Sequence, residues 1–158
     1  HPDVRLVLTG GRGAAEADVA RAIATAEHAG RIDRTGRVPA ADLARHLSDA
    51  DVVAFPSTYE GFGIPVLEAM AAGVAVLVAD GTPAADLVQG CDAIVGAGDP
   101  AAWAEALDRL LADRDHRTAL AARVLAAARD RTWEASAAAL ERAWRLLLDG
   151  SAPAGRAT

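Results

Sequence analysis

Short apolar runs alternate along this chain with longer segments in which apolar residues recur every three or four positions. A short apolar run is typical of a strand covered on both faces, and the longer spacing is typical of a helix with one buried side. Alternation of the two predicts an α/β fold, with a Rossmann-like parallel sheet, helices on both faces and right-handed crossovers. The predicted strands are residues 4–9, 31–36, 52–55, 74–78 and 93–95, and the predicted helices between them are residues 14–29, 40–47, 65–72 and 84–88.

The last third of the chain is predicted to be helical. Asp99 and Pro100 have the residue types of a helix N-cap and a first helical position. Three tryptophans follow at helical spacings, so we predict that all three pack against the core; they are Trp103, Trp133 and Trp144.

The composition predicts one domain followed by a short tail. The chain has 158 residues, enough for a single core, and residues 150–158 form a Pro/Gly/Ala segment that we predict to be disordered. This assigns residues 1–149 to the domain. We expect strands 4–9 and 74–78 to be buried.

Charge and cysteine content exclude some classes of protein. The net charge of −6 argues against a nucleic-acid surface. The single cysteine, Cys91, cannot form an internal disulfide, which suits a reducing cytoplasm. The four histidines show no metal-ligand spacing, so no metal site and no cofactor are expected.

A glycine-containing turn between a predicted strand and a predicted helix is the strongest candidate site. It extends from Glu60 to Glu68 and contains Gly61 and Gly63. Ligands of open α/β sheets bind at such turns. Unpaired amides at the helix start suit a phosphate, and the two carboxylates, which accept hydrogen bonds only, suit sugar or ribose hydroxyls.

Residues 56–76, which contain this turn, resemble the signature of the family 4 retaining glycosyltransferases, including its two glutamates separated by seven residues. These are GT-B enzymes that use nucleotide-diphosphate sugars. The resemblance implies that Glu60 is the catalytic contact to donor-sugar hydroxyls and that Glu68 accepts from the nucleotide ribose. The implied contacts to the sugar and diphosphate are the backbone groups of Gly61, Phe62, Gly63 and Ile64.

A second glycine-rich turn, residues 10–13, follows the first predicted strand. Gly11 and Gly13 are half of a dinucleotide fingerprint, and Asp33 lies 20 residues after Gly13, which keeps an NAD(P)-binding Rossmann domain as an alternative. Glu16, however, occupies the position of the third glycine. In the glycosyltransferase interpretation the same turn lines the nucleotide cleft, with Gly10 as a donor contact.

The loop after the second predicted strand is a further candidate. By resemblance, Arg37 and Val38 pack against the nucleotide base, and the alternative is a plain structural turn. The family also carries a Pro-Glu pair after the strand that follows its signature helix, and Asp86 is the candidate substitute for that glutamate.

The resemblance also implies missing parts. In the family, a first strand, an Arg and a Lys that clamp the diphosphate, and an N-terminal acceptor-binding domain all precede the counterpart of His1. We therefore expect the C-terminal half of a GT-B fold without its first strand, with strand 4–9 uncovered. The acceptor is unknown, any peripheral membrane contact is expected through the missing domain, and a catalytically inactive nucleotide-sugar-binding fragment stays an alternative.

Overall fold

The computed structural model describes residue 1, residues 3–13 and residues 15–149. The predicted tail, residues 150–158, lies outside the described residues. Strands and helices alternate and are followed by three consecutive helices, as predicted. The strands are β1 (Leu6–Thr9), β2 (Ile32–Gly36), β3 (Val52–Phe55), β4 (Ala75–Ala79) and β5 (Ile94–Val95). The helices are α1 (Glu16–Thr25), α2 (Ala40–Asp49), α3 (Ile64–Ala71), α4 (Pro100–Ala112), α5 (Arg114–Ala128) and α6 (Trp133–Leu148), with 3₁₀ turns at Ala29–Arg31 and Ala85–Val88.

Local hydrogen bonds explain several helix boundaries. Helix α1 ends well before residue 29 because Ala26 turns extended, and the Thr25 hydroxyl donates to the carbonyls of Arg21 and Ala22 in the last turn. The Asp99 carboxylate accepts from the amides of the first turn of α4. The Asp113 carboxylate accepts from the amide of His116 in the first turn of α5 and so caps the start of that helix.

The strands form two parallel sheets, and both confirm the α/β class. Strand β1 pairs with β2, from Leu6 opposite Ile32 to Thr9 opposite Gly36. Strand β4 pairs with β3 on one side and β5 on the other, giving the order β3-β4-β5. Because every pairing is parallel, the carboxyl ends of the strands in each sheet meet at one edge, where the candidate turns begin.

The core surrounds β4. All five residues of this strand are buried, and helices α3 and α5 pack against it. The 3₁₀ turn Ala85–Val88 closes one end of the same core. The largest buried side chains are Met70, Leu87, Leu110, Leu120, Val66, Val76, Val78, Val88 and Val124.

Strand β1 is not buried, contrary to the prediction from its apolar run and in agreement with the uncovered strand that the family resemblance implied. Leu6 is 48% exposed and Val7 is 42% exposed, and no described residue before Gly63 is buried. The burial prediction was wrong because apolar side chains of a strand are buried only where another element covers the face of the sheet, and helices α3 and α5 pack against β4.

Helix α6 gives a second correction. Trp133 is 80% exposed and Trp144 is 60% exposed, and α6 has no buried residue. Only Trp103 packs against the core, where its indole N–H also donates to the carbonyl of Gly96. Helical spacing predicted that each tryptophan lies on the apolar side of its helix. It did not show that Trp133 and Trp144 would stay exposed on that side of α6. Among the described helices, none combines the length and apolar character that a bilayer crossing requires.

Candidate functional site

The turn that follows β3 is built around Gly63. This residue has φ +94° and is the N-cap of α3, a left-handed conformation that strongly favours glycine. Its carbonyl accepts from the amides of Val66 and Leu67 at 2.9 and 3.1 Å and so starts the helix. Pro65 lies within the first turn, where its missing N–H costs nothing.

Unpaired backbone amides are the second feature of this turn. The N–H groups of Phe62, Gly63 and Ile64 have no hydrogen-bond partner among the residues that the structure describes. The amide of Gly61 donates to Oε1 of Glu60 at 3.0 Å. Unpaired amides at a helix N-terminus, with the partial positive charge of that end, form an environment that suits an anion.

The two glutamates lie differently in the structure. Glu68 is exposed on the side of α3 that also carries Ile64, opposite the buried side formed by Val66, Ala69 and Met70. Glu60 is half-buried just before the turn, and its carboxylate partly caps the turn through Gly61. The structure thus leaves the Glu68 carboxylate open to a ligand, while a second oxygen of Glu60 remains as an acceptor.

The back of the turn is in close contact with the segment after β4. A Cβ atom placed on Gly63 would lie 2.6 Å from the Cβ of Ala84 and 3.4 Å from Cδ1 of Leu87. The same segment lines an open groove of about 390 Å³. Its polar lining residues include Asp80, Asp86 and Gln89. Sequence reasoning singled out Asp86 but missed Asp80, although its position directly after a buried strand was a usable signal.

The candidate residues of the first sheet also lie together. The amide of Gly10, with φ +120°, donates to the carbonyl of Gly36 at 2.9 Å and joins the loops after β1 and β2. The Arg37 side chain crosses this junction, since a Cβ on Gly11 would lie 3.3 Å from its Nε. Val38 is half-buried next to it. Gly10, Arg37 and Val38 therefore form one cluster, at the carboxyl ends of β1 and β2.

A further contact in the first sheet is an ion pair that the sequence did not reveal. Arg34 donates from both terminal nitrogens to the two carboxylate oxygens of Glu16, each at 2.8 Å. The hydrogen bonds from Arg34 lower the pKa of Glu16, and those to Glu16 raise the pKa of Arg34. The pair joins the start of α1 to β2.

The position of Asp33 does not suit the dinucleotide alternative. Asp33 is the second residue of β2, not a residue at its carboxyl end, and its carboxylate accepts from Arg5 at 2.8 Å. A ribose-binding acid of a dinucleotide fold is needed at the carboxyl edge of the sheet. Within the described residues there is also no group of three histidine, cysteine or carboxylate side chains placed to hold a metal ion.

Comparison with known proteins places these features in one family. The sequence profile of the glycosyl transferases group 1 matches residues 1–125. A D-inositol 3-phosphate glycosyltransferase of Xylanimonas cellulosilytica is 40% identical over 146 residues, which are 87% of this chain and 34% of that protein.

Solved structures agree on the fold. Sucrose-phosphate synthase from Thermosynechococcus elongatus matches with a TM-score of 0.83 and 28% identity, over 93% of this chain and 39% of that one. Anabaena HepE, solved in complex with UDP-glucose, matches with a TM-score of 0.78 at 22% identity, over 93% of this chain and 42% of that one. The latter likeness concerns the fold alone. The chain thus spans about a third of the length of its relative and has the architecture of a GT-B C-terminal domain; it belongs to the glycosyl transferases group 1.

Proposed function

We propose that this chain is the donor-binding domain of a retaining, family 4 glycosyltransferase that moves a sugar from a nucleotide-diphosphate sugar to an acceptor hydroxyl. The observation that carries the proposal is the turn after β3, with three unpaired amides between Glu60 and the exposed Glu68. The UDP-glucose complex of the HepE fold neighbour supports a nucleotide-sugar donor.

The turn provides two kinds of contact for such a donor. The amides of Phe62, Gly63 and Ile64 would hold the diphosphate and stabilise the negative charge that develops on it as the glycosidic bond breaks. Glu68, one turn further along α3, would accept from the ribose hydroxyls. Glu60 would accept from hydroxyls of the transferred sugar and orient it.

The proposed reaction needs neither a nucleophile nor a general base from the side chains of this protein. In the proposed retaining reaction, an oxygen of the departing diphosphate accepts the proton of the acceptor hydroxyl while the new glycosidic bond forms on the same face. The roles left to this chain are binding, orientation and charge stabilisation, with no metal and no cofactor.

The cluster after β1 and β2 completes the donor site in this proposal. The Gly10 turn would line the nucleotide, and the Arg37–Val38 loop would pack against the base. The joined loops support this role, because the hydrogen bond from Gly10 to Gly36 fixes both at one edge.

The test is donor binding by the full-length protein. Calorimetry with uridine, guanosine and adenosine diphosphates, and with their sugar conjugates, identifies the donor. A charge-assisted hydrogen bond contributes about 1.5–3 kcal/mol, so Glu68→Gln should weaken nucleotide binding by about 10-fold to 150-fold. Glu60→Gln should mainly lower kcat.

The control is Glu105→Gln, which removes an exposed carboxylate from α4 and should change neither quantity. Unchanged donor affinity and unchanged turnover in both Glu60→Gln and Glu68→Gln would refute the assignment.

A second candidate, a binding module without catalysis, applies to this chain by itself. It is favoured by the exposed face of β1 and by the one-third coverage of the relative. Assaying sugar transfer by residues 1–158 alone distinguishes the two, since robust turnover would show that no further domain is needed.

A further inference from the structure

Gly63 and Ala84 form a matched pair in which one residue fills the space that a side chain on the other would need. Ala84 is fully buried. The position that a Cβ would take on Gly63 lies 2.6 Å from the Ala84 Cβ and 3.1 Å from its Cα. Since real Cβ atoms do not approach so closely, the Ala84 methyl stands directly against the backbone of the candidate turn.

The segment that carries Ala84 is fixed to the core. The hydroxyl of the buried Thr82 donates to the carbonyl of Ala79, the last residue of β4, at 3.0 Å. The amide of Ala85 then donates to the carbonyl of Thr82 at 2.9 Å. Leu87, which is 2% exposed, anchors the other end. These hydrogen bonds and the packing of Leu87 hold Ala84 in place, so Ala84 cannot move away easily if Gly63 shifts toward it.

The contact lies next to the amides of the candidate site. Gly63 contributes one of the three unpaired amides and is also the N-cap of α3. A shift of Gly63 away from Ala84 therefore moves the neighbouring amides of Phe62 and Ile64. The same shift changes the start of α3. Oriented donors lose effect when displaced by about 1 Å.

We propose that Ala84 is a positioning residue, whose methyl group sets the depth and direction of the amides in the turn after β3. The proposal rests on the proposed function, because it assigns Ala84 to the support of the diphosphate site. Ala84 itself does not touch the donor. Ala84 affects donor binding only by fixing the position of Gly63.

The first experiment compares two valine substitutions in the full-length protein. Ala84→Val adds two methyl groups against the turn. Ala93→Val makes the same change at another fully buried alanine, which precedes β5 and whose carbonyl accepts from the amide of Val78 in β4. We expect both to lower Tm, and only Ala84→Val to weaken binding of the nucleoside diphosphate, by about tenfold or more.

The second experiment tests for rescue. Gly63→Ala should abolish measurable binding, because it combines the clash with Ala84 and a positive φ. Adding Ala84→Gly removes the 2.6 Å contact but leaves the 3.1 Å approach to the Cα of residue 84 and the strained φ, so the double variant should recover part of the affinity. Ala84→Ser, a smaller change, gives a graded point if Ala84→Val does not fold.

The outcomes separate the two proposals. If the unmodified protein binds none of the three nucleoside diphosphates, the proposed function fails, and the positioning role fails with it. If the unmodified protein binds one of them, two results would each overturn the role of Ala84 alone: equal affinities in the Ala84→Val and Ala93→Val proteins, or no recovery in the double variant. Weaker binding with Ala84→Val and partial recovery in the double variant would support it.

Discussion

The two parallel sheets of this chain are built from similar sequences but differ sharply in burial. In β4, Leu77 is 3% exposed and its neighbours Val76 and Val78 are fully buried. In β1, Leu6 is 48% exposed and Val7 is 42% exposed. Strand β4 has a hydrogen-bonded strand on each side, whereas β1 has a single strand partner within the part of the chain that the structure describes. Strand β4 is also covered by helices α3 and α5, so an apolar sequence alone does not decide whether a strand is buried.

This difference suggests what the first sheet requires. Strands β1 and β3 each keep one unpaired edge, and each carries a candidate loop at its carboxyl end. A doubly wound sheet of order 3-2-1-4-5-6 that lacks strand 1 leaves two strands on one side and three on the other, which is the division seen here. We therefore expect a preceding strand in the longer protein to pair with both edges.

The largest expected effect is on the free energy of unfolding. Leu77→Ala should cost about 2–5 kcal/mol, because it removes buried methyl groups and leaves a cavity. Leu6→Ala in the same chain should cost about 0.5 kcal/mol or less, as at other exposed positions. Urea unfolding of residues 1–158 measures both.

Repeating the pair in the full-length protein sharpens the comparison. There the cost of Leu6→Ala should rise toward that of Leu77→Ala, because the added strand would cover β1. Equal costs in the short chain, or an unchanged small cost in the long one, would show that neighbouring strands do not control burial here.

The next expected effect is on amide exchange at the two free edges. In the full-length protein, amides of β1 (Leu6–Thr9) and β3 (Val52–Phe55) that face away from their present partners should exchange about a hundredfold more slowly than in residues 1–158. Amides of β4 serve as the internal reference, since both of its edges are already paired. Protection gained by β1 but not by β3 would place the extra strand elsewhere.

The sequence predicted local structure better than it predicted burial. The bounds of β3 matched because Val52–Phe55 is an isolated apolar run between polar residues. The turn at Gly63 was also predictable, because few residues other than glycine suit such a position before a helix. The exposure of Trp133 and Trp144 was not, since helical spacing shows which side chains share a face but not what lies opposite that face.

In the candidate site, too, local features were predictable from the sequence and contacts between distant segments were not. The unpaired amides of the turn followed from helix geometry and from the residue types at Gly61, Gly63 and Pro65. Contacts between distant segments did not, because nothing near Ala84 in the sequence marks it as the support of Gly63. The pairing of Glu16 with Arg34 was hidden for the same reason, being a contact across 18 residues between a helix start and a strand.

The smallest expected effect is a pH dependence in the first sheet. Arg34 lowers the pKa of Glu16 below the ordinary value of a glutamate, chiefly by hydrogen bonding. A carboxyl whose folded pKa is depressed stabilises the folded state above its unfolded pKa, and this contribution is lost as the pH falls through the folded pKa.

Acid should therefore loosen the contact between α1 and β2, while β4, whose residues carry no charge, is unaffected. Carbon-detected NMR titration of the Glu16 carboxyl measures this directly. Arg34→Gln should move its midpoint up toward the ordinary value of a glutamate, whereas Arg21→Gln, which removes the exposed partner of Asp18, should leave it in place. A midpoint that does not respond to Arg34→Gln would mean that the ion pair between Glu16 and Arg34 does not persist in solution.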